Sequence, residues 1–312
     1  MQSFLYSMQG FRFKQRNSLS IILLTTIAVL LRILANPVSN VFQKTLSVKG
    51  HHPLGVNFLT YLGLSIVCIP LAVGIHWLQL PAQFWIYAVL GAIVGSLGNG
   101  LLVMALQKGD LSVLGPINAY KSVVGIIVGI FLLREVPNWW GVLGTILIIG
   151  GSYFVLDTTA ERFSWALFGR KEIQYRLWAM VLTAIEAVLI KKVILASDVL
   201  TSFISWCWLG TLFSFLLLLL NHKSLSMAAP ARISHHLSPF ILLILCIGIT
   251  QLTTLYVFDH MPVGYALALF QLSTIVSVFL GHHIFKEKDI RKKLLGAVIM
   301  MIGSVVIILL KD

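Results

Sequence analysis

Charge is what this sequence has least of. Only 11% of its 312 residues are charged, and just 11 of them are acidic. A soluble domain carries about 25% charged residues. Too few polar side chains are present to cover a water-facing surface, so a soluble globular protein is excluded. Cysteine is nearly absent as well. Cys68, Cys207 and Cys246 all fall in apolar runs, which excludes a disulfide scaffold and reads as small core residues. No CxxC or Cys/His metal spacing occurs, and no HExxH, P-loop, GxSxG or dinucleotide fingerprint is found. These absences argue against an enzyme of those classes and against ATP hydrolysis within the chain. No cofactor and no metal are expected.

What fills the chain is hydrophobic sequence, 58% of it. A bilayer core about 30 Å thick needs roughly 20 apolar residues per helix. Such runs follow one another at 19–46, 55–77, 84–106, 111–134, 139–156, 175–196, 198–220, 239–260, 264–285 and 291–310. Arg12, Lys14 and Arg16 precede the first run, which is too long for a signal-peptide core and reads as a retained membrane helix. The net charge of +12 does not point to nucleic acid. Its basic residues cluster in short connectors, as at Lys286, Lys288, Arg291, Lys292 and Lys293, where they meet lipid headgroups and set topology.

The longest polar stretches are 157–175 and 221–236. The first lies at mid-chain and splits the runs five and five. Sliding the chain by 152 residues places spans four and five on nine and ten without a gap. Glu135 then falls on Glu287, Arg134 on Lys286, Gly129 on Gly281, Gly144 on Gly296, and Gly151 with Ser152 on Gly303 with Ser304. Asn99 falls on Gln251. Five spans per repeat leave the second half upside down relative to the first. The expected fold is therefore all-α and integral to the membrane, with ten transmembrane helices as two inverted five-helix repeats. The repeats are placed at 1–156 and 175–312, with a connecting loop at 157–174.

The stretch 105–118, reading ALQKGDLSVLGPIN, runs on to Leu133, Arg134 and Glu135 and then to WGVLG at 140–144. This block resembles the EamA branch of the drug/metabolite transporter superfamily. It recurs as MPVGYA at 261–266, FKE at 285–287, and Leu295 with Gly296. Span one, ending NPVSNVFQK at 36–44, is similar to the family's first helix with its terminal lysine, and Lys191 and Lys192 match the basic pair closing the sixth. Two departures stand out: Asn36 and Pro37 replace a tryptophan–glycine pair, and Thr60 and Tyr61 replace an arginine followed by an aromatic. The resemblance implies a secondary metabolite transporter with a central cavity, working by alternating access and expected to export. Amino acids, amines and nucleosides are among the family's substrates. A lipid or lipid-headgroup translocator of the same superfamily is the alternative reading.

Ionisable groups near span centres are the first candidates for the site. A charge at helix mid-depth costs about 2.5–3.5 kcal/mol to insert and so faces a cavity or a partner. Lys121 lies mid-span four, suited to an anionic substrate group. Glu186 lies mid-span six, suited to a proton or a cationic group. The alternative for both is that they pair with each other across the repeats. Arg32 is a weaker candidate, able to snorkel toward an interface. The uncharged candidates are Asn36, Asn40, Asn99, Asn118, Gln251 and Gln271, with Tyr120 and Tyr256 as cavity-wall aromatics. Amides orient a solute with donors and acceptors together; alternatively they tie helices to each other. Pro37 and Pro116 are expected to break or bend their helices. Gly91 with Gly95, and Gly125 with Gly129, have the GxxxG spacing that lets helices approach closely. His282 and His283 read as interfacial rather than metal-binding.

The resemblance implies cytoplasmic termini in a bacterial inner membrane. Seven basic residues lie on the tail side: Arg12, Lys14, Arg16, Arg134, Lys191, Lys192 and Lys311. Fourteen lie opposite, among them Lys44, Lys108, Arg176 and the five at 286–293. The positive-inside rule favours the reverse orientation. The first helix and its basic tail favour the termini inside. The expected partners are a small-molecule substrate and the bilayer, with no nucleic acid and either a monomer or a homodimer.

Overall fold

The computed structural model describes residues 2–121, 124, 139–158, 168–221, 237–261 and 263–309. Helices α1 (Gln2–Val48), α2 (Pro53–Leu71) and α3 (Ala82–Lys108) are followed by the short α4 (Leu111–Leu114) and a 3-10 turn at Pro116–Ala119. Then come α5 (Trp139–Leu156), α6 (Lys171–Leu195), α7 (Val199–Leu220), α8 (Leu237–His260), α9 (Val263–Phe270), α10 (Ser273–Phe285) and α11 (Ile290–Leu309). No strand occurs among the described residues. Among the described residues six helices are long and apolar enough to cross a membrane: α1 from Ser20, α2, α3, α5, α7 and α8. Many of their large apolar side chains, such as Ile22, Leu23, Ile66 and Leu245, point outward, as lipid-facing surfaces must.

Several expected boundaries shift, each for a local reason. Span two ends at Leu71 rather than 77, just after Pro70, and Gly74 turns the chain at φ 94°. Pro116 breaks span four after Leu114, because it lacks the N–H that would continue the helix. Pro37 does not break its helix: α1 continues through it. Span nine is two helices with a turn at Gln271 and Leu272 between them. The polar stretch at mid-chain is not all loop, since α6 already begins at Lys171. Arg134, Glu135 and the Gly125–Gly129 pair lie outside the described residues.

Packing pairs the helices reciprocally. α3 runs along α6 and α1 along α8, while α2 meets α7 and α5 meets α11. At the α5–α11 seam a side chain at Gly296 would lie 2.5 Å from the Gly151 carbonyl oxygen. One at Gly303 would lie 2.6 Å from that of Gly144. Only glycine permits backbones this close.

One end of the bundle is tied by Glu287, which follows α10. Its Oε1 lies 3.0 Å from Lys44 Nζ on α1. The carboxylate also accepts the N–H groups of Leu111 at 2.8 Å and Ser112 at 2.9 Å, together with the Ser112 hydroxyl. Lys44 sits 4.5 Å above the Phe285 ring. Next to it Lys293 pairs with Asp110 at 3.6 Å. His282 Nδ1 lies 2.7 Å from the Glu287 carbonyl oxygen, and no metal-binding cluster of His, Cys, Asp or Glu occurs among the described residues.

Candidate functional site

Between the halves lies a central cavity, walled chiefly by α1, α2, α6 and α8, with α3 adding Asn99 and Leu102. Seven residues expected in a site line it: Asn36, Asn40, Asn99, Asn118, Lys121, Glu186 and Gln251. Arg32 lines it too. Helical spacing explains the grouping, since Arg32, Asn36, Asn40 and Gln43 recur every three or four residues and share one face of α1.

Three expected residues stand apart from the wall. Tyr120 donates to Ser152 Oγ at 2.7 Å and so ties the turn after Pro116 to α5. Tyr256 stacks on His260, ring centres 4.1 Å apart. Gln271 is buried at the α9–α10 turn, its Oε1 without a partner among the described residues.

Lys121 and Glu186 do not pair. Lys121 makes no hydrogen bond or direct ion pair among the described residues; it lines the cavity, with Arg176, Arg32 and Glu186 near enough to act on its charge. Glu186 Oε1 instead accepts the indole N–H of Trp206 at 2.9 Å. The carboxylate lies where a side chain at Gly95 would otherwise be, since a Cβ there would fall 2.7 Å from Glu186 Cδ. The first GxxxG pair therefore does more than close a helix interface.

Arg176 is a cavity residue that the sequence reading placed among headgroup-facing connectors. It is 7% exposed and donates to the Leu114 carbonyl at 2.7 Å and to Asn118 Oδ1 at 3.1 Å. Leu114 is the last residue of α4 before the Pro116 break, so Arg176 takes up a carbonyl at the helix end. Arg32 donates through Nε to Thr254 Oγ1 at 2.9 Å and lies 4.7 Å over the Phe270 ring. Among the described residues three cations thus line the cavity, and the hydrogen bonds of the two arginines all go to neutral groups. One carboxylate lines it with them.

The remaining polar wall was missed except where it departs from the family pattern. Thr60 and Tyr61, the noted departures on span two, both line the cavity. Tyr61 is held by Asn99 Nδ2 at 2.9 Å and by Trp206, ring centres 4.6 Å apart. Asn57 on α2 donates to the Ser96 carbonyl at 3.2 Å. Gln43, Thr183, Thr250 and Thr254 complete the polar lining, and Phe258 and Phe270 supply apolar surface.

The EamA-like transporter family model matches residues 19–157 and again 170–309. A triose phosphate/phosphate translocator, non-green plastid, chloroplastic, from Brassica oleracea var. botrytis is 28% identical over 131 residues. That match takes in 41% of this chain and 32% of that protein, so the chain spans about a third of this relative's length. A solved crystal structure aligns with 94% of this chain and 97% of its own, with a TM-score of 0.60 and 17% identity. That likeness speaks for the fold alone.

Proposed function

The chain belongs to the EamA-like transporter family, and on that premise we propose that it moves a small organic anion across the membrane by alternating access through the central cavity. It is an integral membrane protein of a transporter family. The observation that carries the anion is the set of Arg32, Lys121 and Arg176, none in a direct ion pair with a carboxylate among the described residues, facing one cavity. Lipid offers an ammonium or guanidinium no acceptor, so a bound anion is what completes this site. The name of the plastid relative, a phosphate translocator, is consistent with that reading.

Ten spans arranged as two inverted repeats account for the packing. The repeat equates Gly144 with Gly296 and Gly151 with Gly303. Exchanging the halves turns the Gly144–Gly303 approach into the Gly296–Gly151 approach. It likewise turns the α3–α6 pairing into α8–α1. In the seam, residue numbers rise on α5 as they fall on α11, so the two helices are antiparallel. A twofold axis exchanging antiparallel helices lies across them, in the membrane plane, as alternating access requires.

Lys121→Met tests the reading. Methionine keeps the stem's apolar volume and removes the buried charge, so thermal stability in detergent should match or exceed the parent's. Uptake of anionic substrate into liposomes should be lost. Reduced stability with unchanged uptake would assign Lys121 a structural role instead. Glu186 is the proposed proton-coupling group. Glu186→Gln should fold and insert normally, yet lose the pH dependence of uptake. Normal transport at every pH would rule out coupling there.

A further inference from the structure

We propose that the anion subsite lies between α1 and α8 and takes a doubly charged, phosphate-type oxyanion, held by Arg32, Thr250, Gln251 and Lys121. This rests on the anion-transport reading and adds the chemical class of the headgroup.

Unpartnered donors locate the subsite. Arg32 Nη1, Thr250 Oγ1 and Gln251 Nε2 are all buried without a hydrogen-bond partner among the described residues, and all three residues line the cavity. Buried polar groups are nearly always bonded in native structures. A cluster of orphans on facing helices therefore marks where a ligand supplies the missing partners. Arg32 is already oriented, with Nε fixed on Thr254 and its Cζ over the Phe270 ring. Thr254 lies one helical turn beyond Thr250, so the residue that aims the guanidinium and the orphan hydroxyl share a face of α8. Arg176 differs, since two of its nitrogens are engaged by Leu114 and Asn118. It shapes the other end of the site and is a positioning residue.

Charge and acceptor number choose the headgroup. Three cations face one carboxylate, an excess of two positive charges on the lining. A monocarboxylate cancels one of them. A phosphate monoester carries about −1.5 to −2 and presents three strong acceptor oxygens, enough for a guanidinium edge, an ammonium, an amide and a hydroxyl together. Arginine's planar fork suits such oxygens. Glu186, bonded to Trp206 through one oxygen, repels the headgroup from its own side of the cavity. It favours a hydroxyl or another donor on the organic part.

The test uses purified full-length protein in detergent, melted with sodium phosphate, sodium acetate or sodium chloride at matched ionic strength. Phosphate should raise Tm with a saturable profile, while acetate and chloride should not. Arg32→Gln and Lys121→Met should each weaken phosphate at least about tenfold in Kd, roughly 1.4 kcal/mol. Arg32→Lys keeps the charge and loses the fork, so it should fold as the parent does and still bind more weakly. Acetate matching phosphate, or phosphate binding unchanged in all three variants, would overturn the proposal. Competition by glycerol phosphate or by a short-chain phosphatidate would each support the class and tell a soluble substrate from a lipid one. Liposome uptake separates this inference from the one beneath it. Uptake of monocarboxylates without phosphate binding sinks the headgroup and leaves the transporter. Phosphate binding with no uptake of any anion leaves the subsite and sinks transport.

Discussion

Glu186 fits beside α3 because position 95 carries no side chain, and its carboxylate is then aimed by the Trp206 indole. Gly95→Ala would push against the far end of a flexible side chain, so the helix interface should survive and the carboxylate should shift. A carboxylate moved off its place should lower uptake at least about tenfold, roughly 1.4 kcal/mol. Liposome uptake and near-unchanged melting of Gly95→Ala check this together; full activity would mean that the position of Glu186 does not matter. The charged groups of the site were legible in unequal measure. Lys121 and Glu186 sit deep in apolar runs, where a charge is conspicuous. Arg176 sits five residues into α6, beside Lys171 and Glu172, and looks in sequence like the end of a polar connector. Arg32 is the weaker candidate in sequence because a long helix lets arginine snorkel, yet Thr254 and Phe270 hold it inward.

Among the elements, the Glu287 tie joins α1, the start of α4, and the α10–α11 connector. Removing one partner of a buried pair costs about 3–5 kcal/mol. Glu287→Gln should therefore lower Tm markedly, and Lys44→Met with Glu287→Leu should recover part of the loss. Burial alone would raise the Glu287 carboxyl, but Lys44 and the Ser112 donors outweigh it and hold it below its ordinary value. A carboxyl depressed in the folded state stabilises above its unfolded pKa, about 4.3, and that contribution is lost as pH falls through the lower folded value. The Tm gap between parent and Glu287→Gln should hold steady above about pH 5 and shrink below about pH 4. A constant gap down to pH 3 would mean that the ion pair contributes nothing. The repeat pointed to Glu287 through its match with Glu135, but the partners on α1 and α4 required the fold. The break at Pro116 was readable from proline's missing N–H. The break at Gln271 was not, because a continuous apolar run from 264 to 285 shows no signal for it.

At the scale of the molecule, the basic residues assigned to the face opposite the tails were too many for the family's orientation. The structure withdraws three of the fourteen from the headgroups. Lys44 pairs with Glu287 and Lys293 with Asp110, while Arg176 lines the cavity. A charge count treats every Lys and Arg in or near a connector as surface, and it fails where the bundle spends them internally. The count still leans away from the tails, since Lys49, Lys108, Arg170, Lys171 and others remain there. The first helix usually dominates insertion, and Arg12, Lys14 and Arg16 precede it. The expected outcome is a cytoplasmic C-terminus, read by a reporter fused after Asp312 that is active only inside the cell. Replacing Arg12, Lys14 and Arg16 by glutamine removes the one strong bias toward that orientation. The fusion should then lose signal or divide between two orientations. An unchanged signal in the triple variant would place the bias elsewhere in the bundle. A periplasmic signal in the parent would reverse the assignment and put the Glu287 tie on the cytoplasmic side.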